Sequence, residues 1–156
     1  MKKEIRIWDL DGTIIDSSHR QLTREDGILD LEHWIENTTP DKIRKDSLLP
    51  LCRDYKEGIT NTNVITVIAT ARSMTITDMA YIHDFLGKPD YFVYRKSDDS
   101  RPDHVIKVEG LTRLVSRFPK ESVIKFWDDN LTNLQEVNNK LKTMGYPVIT
   151  YHVTGE

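Results

Sequence analysis

Two short acidic runs carry most of the chemical potential of this chain. Asp9-Leu10-Asp11-Gly12-Thr13 follows Ile5-Arg6-Ile7-Trp8, and Asp128-Asp129-Asn130 follows Val123-Ile124-Lys125-Phe126-Trp127. Between them, Thr70-Ala71-Arg72 follows Val64-Ile65-Thr66-Val67-Ile68-Ala69. Each leading run is β-branched, aromatic or apolar nearly throughout, the pattern of a strand covered on both faces. Acidic, hydroxyl and guanidinium groups are thus expected at the carboxyl ends of strands, where open parallel sheets bind their ligands. Asp9, Asp11, Asp128 and Asp129 gathered at one edge would repel one another unless a cation lay among them. Hard oxygen donors with open positions suit magnesium, so a Mg2+ site is expected. Singly, each motif has a structural alternative: Asp11-Gly12 is common turn chemistry, and Asp128-Asp129-Asn130 could cap a helix. Their shared placement, directly after buried strands, favours a site.

The elements that must position these groups alternate along the chain. Further strands are expected at Tyr91-Phe92-Val93-Tyr94 and Val148-Ile149-Thr150-Tyr151. Ile76, Met79, Ala80, Ile82 and Phe85 or Leu86 recur at helical spacing, with Gly87 as a C-terminal stop. Val105, Val108, Leu111, Leu114 and Val115 repeat that pattern, as do Leu131, Leu134, Val137 and Leu141 before Gly145. Alternating strands and helices imply right-handed crossovers: an α/β, three-layer Rossmann-like domain with a mostly parallel sheet. Residues 14–62 do not fit the alternation and read as a flap with a small helical insertion after the first strand. Gly27 and Pro40 are expected to break it. Leu29, Leu31, Trp34 and Ile35 suggest one short helix, and Leu48 to Leu51 another. Its basic residues Lys42, Arg44, Lys45, Arg53 and Lys56 read as a solvated face, and Trp34 as a core residue of the insertion.

The chain has 156 residues, enough for one domain (1–156) with a sizeable core. A formal net charge of −3 disfavours a protein held on nucleic acid mainly by general positive charge, but permits a local phosphate site. Cys52 is the only cysteine, so no internal disulfide or cysteine-based zinc cluster can form, and it reads as filler. No apolar targeting stretch follows Met1, and no run approaches the ~20 residues of a membrane span, so no membrane association and a cytoplasmic location are expected. No obligate protein partner is implied.

Trp8-Asp9-Leu10-Asp11-Gly12-Thr13, Thr70, Lys107 and Asp128-Asp129, in that order, resemble the four motifs of the haloacid dehalogenase (HAD) superfamily of phosphohydrolases. The resemblance covers nearly the whole chain outside the insertion. It implies that Asp9 attacks phosphorus to form an aspartyl-phosphate and that Asp11 serves as general acid and then base. It also implies Mg2+ held by Asp9, the Asp11 carbonyl and Asp128, with Asp129 ordering metal-bound water. Thr70 and Lys107 would hold the transferring phosphoryl oxygens. The stretch from Arg72 to Lys107 has room for one helix, one strand and a loop, so no large cap is expected.

A narrower resemblance bears on substrate. Thr70-Ala71-Arg72 and the segment from Arg95 through Arg101 and Asp103 to Lys107 are similar to the phosphatase half of phage-type polynucleotide kinase–phosphatases. This implies that Arg72 and Arg95, beside Ala71, bind the substrate phosphate through bidentate guanidinium contacts. The substrate would be a phosphorylated nucleic-acid end, with a 3′-phosphate, or a nucleotide. A phage origin would put the enzyme in the host cytoplasm. The Gly-x-x-x-x-Gly-Lys-Ser/Thr phosphate loop is absent from the sequence, so no kinase activity is expected. The alternatives are a HAD phosphatase of a small non-nucleotide metabolite, a phosphotransferase, and a catalytically silent binding module on the same fold.

Overall fold

The architecture follows from where the apolar runs can hide. In the computed structural model, which describes residues 4–26 and 29–154, the buried runs form one five-stranded sheet. Its strands are β1 (Glu4–Trp8), β4 (Val64–Ser73), β5 (Tyr91–Arg95), β6 (Val123–Asp128) and β7 (Val148–His152), in the order β5-β4-β1-β6-β7. All four pairings are parallel. The order reverses at β1, so β1 lies between β4 and β6 with Trp8 opposite both Ile68 and Trp127. That reversal is the switch point at which an α/β sheet opens a crevice.

Alternate residues of β1 feed two cores. Ile5 and Ile7 pack on one face with Val67, Ala69, Ile124 and Phe126, under α5 (Asp103–Val115) and α6 (Leu131–Thr143). Trp8, Leu10, Ile14 and Ile15 pack on the other with Ile68, Tyr55, Tyr81 and Ile82. Elements of that second face include α3 (Cys52–Thr60) and α4 (Ile76–Tyr81). Each fully buried Ile or Leu is worth roughly 1.5–3 kcal/mol. Trp8 is stacked on Trp127 with centroids 5.0 Å apart and meets Tyr55 edge-on at 5.2 Å, which fixes the rung below the acidic edge. Cys52 is buried among these residues.

The expected α/β fold with its mostly parallel sheet and insertion is present; several local expectations are corrected. Leu48 to Leu51 is not a helix. Ser47–Leu48 (β3) pairs antiparallel with Ile15–Asp16 (β2), and the helix starts only at Cys52. Pro50 explains this, since it disfavours helical backbone at Leu49 and is itself tolerated only in a first turn. Pro40 does not break a helix but opens one, α2 (Pro40–Ile43), at a position where its missing N–H costs nothing. Gly27 lies outside the described residues. α1 (Leu31–Glu36) starts at an Asp30 N-cap, while Leu29 instead bridges Thr23. The helix over 76–86 switches at Ile82 into a π-helical segment ending at Leu86, where the Gly87 N–H reaches back to the Ile82 carbonyl at 2.8 Å. Ile76, at the start of α4, is 90% exposed and Phe85, within the wider turn, 51%, while Tyr81, Ile82 and Leu86 face inward. Lys42, Arg44, Lys45, Arg53 and Lys56 are all exposed, as expected of a solvated face. No helix among the described residues is long and apolar enough to cross a membrane.

Candidate active site

β1 ends with Asp9, whose backbone N–H donates to the Trp127 carbonyl at 2.9 Å and so ties the tip of β1 to β6. The chain then turns tightly. The Leu10 carbonyl accepts from the N–H groups of Thr13, Ile14 and Ile15, and Gly12 takes a positive φ of 79°. A side chain at Gly12 would be strained at that φ and would overlap the Asp129 carboxylate, so both backbone and space demand glycine. This turn brings the first acidic run against the second.

Three carboxylates meet there. Oxygens of Asp9, Asp128 and Asp129 lie within 4.8 Å of one another. Lys107, buried on α5, places Nζ 2.8 Å from Asp9 Oδ1 and 2.7 Å from Asp128 Oδ2. Gly110, one turn further on, lets α5 press against Val93 of β5, which sets the depth of that lysine. Thr13 Oγ1 donates to Asp9 Oδ2 at 3.1 Å, and the Asn130 N–H and Asn133 side chain hold Asp128 at 3.0 and 3.2 Å. Burial pushes the Asp9 carboxyl well up, and Asp128 and Asp129 add to this while Lys107 opposes it. Burial and the neighbouring Asp128 charge also raise Asp129. Lys107 shifts upward: burial alone would lower it, but the two aspartates outweigh burial. A divalent cation among three hard oxygen donors would relieve their repulsion, so the residues present fit Mg2+.

Asp11 belongs to a second cluster. Its carboxylate is held by Arg72, through Nε at 3.2 Å and through Nη2, and by the Ser17 hydroxyl at 2.6 Å. Burial would raise Asp11, but the Arg72 guanidinium and Ser17 outweigh it and hold the carboxyl below its usual range. The ladder between β4 and β5 loses register between Ala69 and Ser73, and Thr70, Ala71 and Arg72 lie in that gap. Thr70 is buried beside the acidic edge, its Oγ1 accepting from the Arg72 N–H at 3.0 Å.

The two arginines expected to grip substrate are otherwise engaged. Besides Asp11, Arg72 donates to Asp78 at 2.6 Å and lies 3.5 Å from Asp46. Arg95 spends its guanidinium on the carbonyls of Ala71, Asp99 and Arg101 and on Asp103 Oδ1, at 2.6–2.9 Å. The structure thus places Arg72 behind Asp11 and Arg95 as the tie of the 96–102 loop, rather than leaving either guanidinium free for an anion. Trp34 is not core: it is half-buried, with the Arg20 guanidinium 4.2 Å from its ring centroid.

Sequence reading missed Ser17, Arg20, Asp46 and Asp78. Only Asp78 had a signal, since Thr75-Ile76-Thr77-Asp78 spells a capping box, which the structure forms. Arg20 and Asp46 meet across 26 residues of irregular chain, which no periodicity announces.

The comparisons agree with this geometry. The family model of the bacteriophage T5 5′-deoxynucleotidase matches residues 1–129. The 5′-deoxynucleotidase of Escherichia phage T5 is 41% identical over 81 residues, covering 50% of this chain and 33% of the phage protein. The chain thus spans about a third of the length of that curated relative. In fold, it is similar to a putative phosphatase from Clostridium difficile, with a TM-score of 0.64, 14% identity and coverage of 100% and 90% of the two chains. A HAD-superfamily hydrolase of subfamily IA from Geobacter sulfurreducens gives 0.62 at 15% identity, covering 96% and 87%. A chain of the Pnkp1/Rnl/Hen1 RNA repair complex gives 0.58 at 16% identity, covering 97% of this chain and 43% of that one. The protein belongs to the bacteriophage T5 5′-deoxynucleotidase family, with a fold similar to that of a HAD-superfamily hydrolase.

Proposed function

We propose that the protein is a Mg2+-dependent phosphomonoesterase that acts through an aspartyl-phosphate on Asp9 and takes a nucleoside monophosphate as substrate. The observation that carries this reading is the buried Lys107 ammonium held between Asp9 and Asp128 at 2.8 and 2.7 Å. It keeps a nucleophilic carboxylate and a phosphoryl-binding cation side by side at the switch point of the sheet.

In the first step Asp9 Oδ attacks phosphorus, the phosphorus–ester oxygen bond breaks, and the leaving oxygen takes a proton from Asp11, which Arg72 holds ionised in the free protein and which receives that proton from the monoanionic phosphate ester as it binds. In the second, water attacks the aspartyl-phosphate, Asp11 takes its proton, and inorganic phosphate leaves as Asp9 is restored. Lys107 and Thr70 neutralise and orient the equatorial phosphoryl oxygens, where the charge of the transition state is spread. Asp9, the Asp11 carbonyl and Asp128, with Asp129 beside them, would hold magnesium, which would supply charge neutralisation between the anionic nucleophile and the anionic substrate.

The substrate reading leans on the family, whose phage T5 member is named a 5′-deoxynucleotidase. A 3′-phosphorylated polynucleotide end is the second candidate. Arg72 and Arg95 both bond protein acceptors, which supports the nucleotide over that candidate. Released phosphate should be measured with magnesium on deoxynucleoside and ribonucleoside 5′-monophosphates, 3′-phosphorylated oligonucleotides and sugar phosphates. Acid-quenched protein should carry label from phosphorus-labelled substrate. The expected result is turnover of 5′-deoxynucleotides with label trapped on the wild type and not on Asp9→Asn. Unchanged turnover in Asp9→Asn would overturn the nucleophile, and turnover confined to sugar phosphates would overturn the substrate.

A further inference from the structure

The insertion after β1 contributes a buried ionic cluster, and that cluster ends at the proposed proton donor. Asp46 has a side chain with no exposure, and both of its oxygens are used. Arg20 binds it in bidentate fashion, Nε to Oδ1 at 3.0 Å and Nη2 to Oδ2 at 2.9 Å. His19 Nε2 lies 2.8 Å from Oδ1, and Arg72 Nη2 lies 3.5 Å from Oδ2. Nη2 of Arg72 is the same atom that reaches Asp11, so one nitrogen lies between the two carboxylates. Asp78 holds Nη1 of Arg72 from the opposite side at 2.6 Å. Trp34 closes the cluster from α1, its ring centroid 4.2 Å from the Arg20 guanidinium and 5.5 Å from that of Arg72.

We propose that Asp46 and Arg20 are positioning residues for Asp11, acting through Arg72, so that the insertion serves as the rigid back wall of the proton donor. This rests on the reading of Asp11 as general acid and base. The geometry gives the reason for such a wall. A carboxyl group that delivers a proton to one oxygen must be fixed in rotation, and a guanidinium gripping both of its oxygens does this only if the guanidinium is itself fixed. Asp78 bonds one terminal nitrogen of Arg72, Asp46 sets its negative charge 3.5 Å from the other, and Arg20 keeps Asp46 from turning. A planar fork with defined donor directions suits each link of the chain, and a lysine would not. Misplacing a reacting group by about 1 Å can cost about 10²-fold in rate.

The test separates positioning from mere folding by varying the leaving group. p-Nitrophenolate leaves without a proton, whereas the alkoxide of a nucleoside needs one. The ratio of kcat on a nucleoside monophosphate to kcat on p-nitrophenyl phosphate, both at saturation, therefore reads the proton donor, whatever fraction of protein is folded, while a lost nucleoside contact shows in KM instead. Asp46→Asn should lower that ratio about 10²-fold. Arg20→Lys and Trp34→Leu should lower it in the same direction by less, and Asp46→Glu should restore part of it. Asp11→Asn, measured alongside, should lower it most. If Asp11→Asn falls and Asp46→Asn matches wild type, the positioning role is overturned. Should Asp46→Asn fail to fold, wild-type ratios in both Arg20→Lys and Trp34→Leu overturn it equally. A wild-type ratio in Asp11→Asn would instead overturn the reading of Asp11 on which the proposal rests.

Discussion

Lys107 Nζ lies 2.8 Å from Asp9 Oδ1 although the two residues are 98 positions apart in sequence. The same ammonium is 2.7 Å from Asp128, so one buried cation serves two buried anions. Removing it leaves those anions facing each other without solvent, and breaking a buried pair costs about 3–5 kcal/mol. Lys107→Met should therefore lower both thermal stability and kcat, the latter about 10²–10³-fold, as for loss of one preorganised charge-stabilising donor. Added magnesium should recover much of the melting temperature, since it answers the same repulsion, but not the turnover. Melting curves and kcat with and without magnesium check this. Restored turnover would remove Lys107 from transition-state stabilisation.

The proposed magnesium ligands should also separate by depth. Asp128 is fully buried and held by Asn130, Asn133 and Lys107, whereas Asp129 lies at the rim. Loss of an outer partner of a metal typically costs about 10–100-fold in affinity or activity. Asp129→Ala should raise the magnesium concentration for half-maximal activity by about that factor and keep turnover measurable at saturation. Asp128→Ala should abolish turnover at any magnesium concentration. Equal responses in a magnesium titration of the two variants would show that the carboxylates share one role.

How much of this was legible in the sequence depended on the reach of each signal. Asp9, Asp11, Asp128 and Asp129 could be placed because each directly follows a β-branched or aromatic run, and the ends of buried strands are where a parallel sheet gathers its chemistry. Lys107 fell on a helix with clear apolar spacing. The hairpin of Ile15–Asp16 with Ser47–Leu48 was not legible, since two-residue strands have no period to read. The switch at Ile82 was also hidden, because apolar residues at helical spacing look the same whether the turn is α or π. The partners of Arg72 were hardest: Asp11 and Asp46 precede it in sequence and Asp78 follows it, and only tertiary packing decides which anion satisfies a guanidinium.

Alkaline pH should act through Tyr81. Its hydroxyl is buried and donates to the Asp46 carbonyl at 2.5 Å. Burial, with Asp46 and Cys52 nearby, pushes its pKa from an ordinary 10.0 up to about 12. A group whose folded pKa lies above its unfolded value contributes stability that is fully present below the unfolded value and lost as pH rises through the folded one. The Tyr81 contribution should hold below about pH 10 and disappear as pH rises to about 12. Tyr81→Phe should cost about 1 kcal/mol near neutrality and make the alkaline loss of stability smaller than in wild type. Denaturant melts across that window, with tyrosinate absorbance followed in parallel, measure both effects. An identical alkaline slope in the variant would remove Tyr81 from the linkage.

Arg95 supplies the last test, because two roles for it lead to different measurements. As a substrate ligand, its loss would weaken competitive inhibition by inorganic phosphate. As the tie of the 96–102 loop, which its bonds to the Ala71, Asp99 and Arg101 carbonyls and to Asp103 describe, its loss would loosen that loop and the start of α5. Those four acceptors surround one planar guanidinium, a geometry that a single ammonium cannot reproduce. Arg95→Lys and Arg95→Ala should therefore behave alike. Both should increase proteolytic cutting within residues 96–102 and lower kcat by moving α5 and its Lys107. The inhibition constant for phosphate should change far less than kcat. A large rise in that constant, with the loop still resistant to protease, would return Arg95 to the substrate.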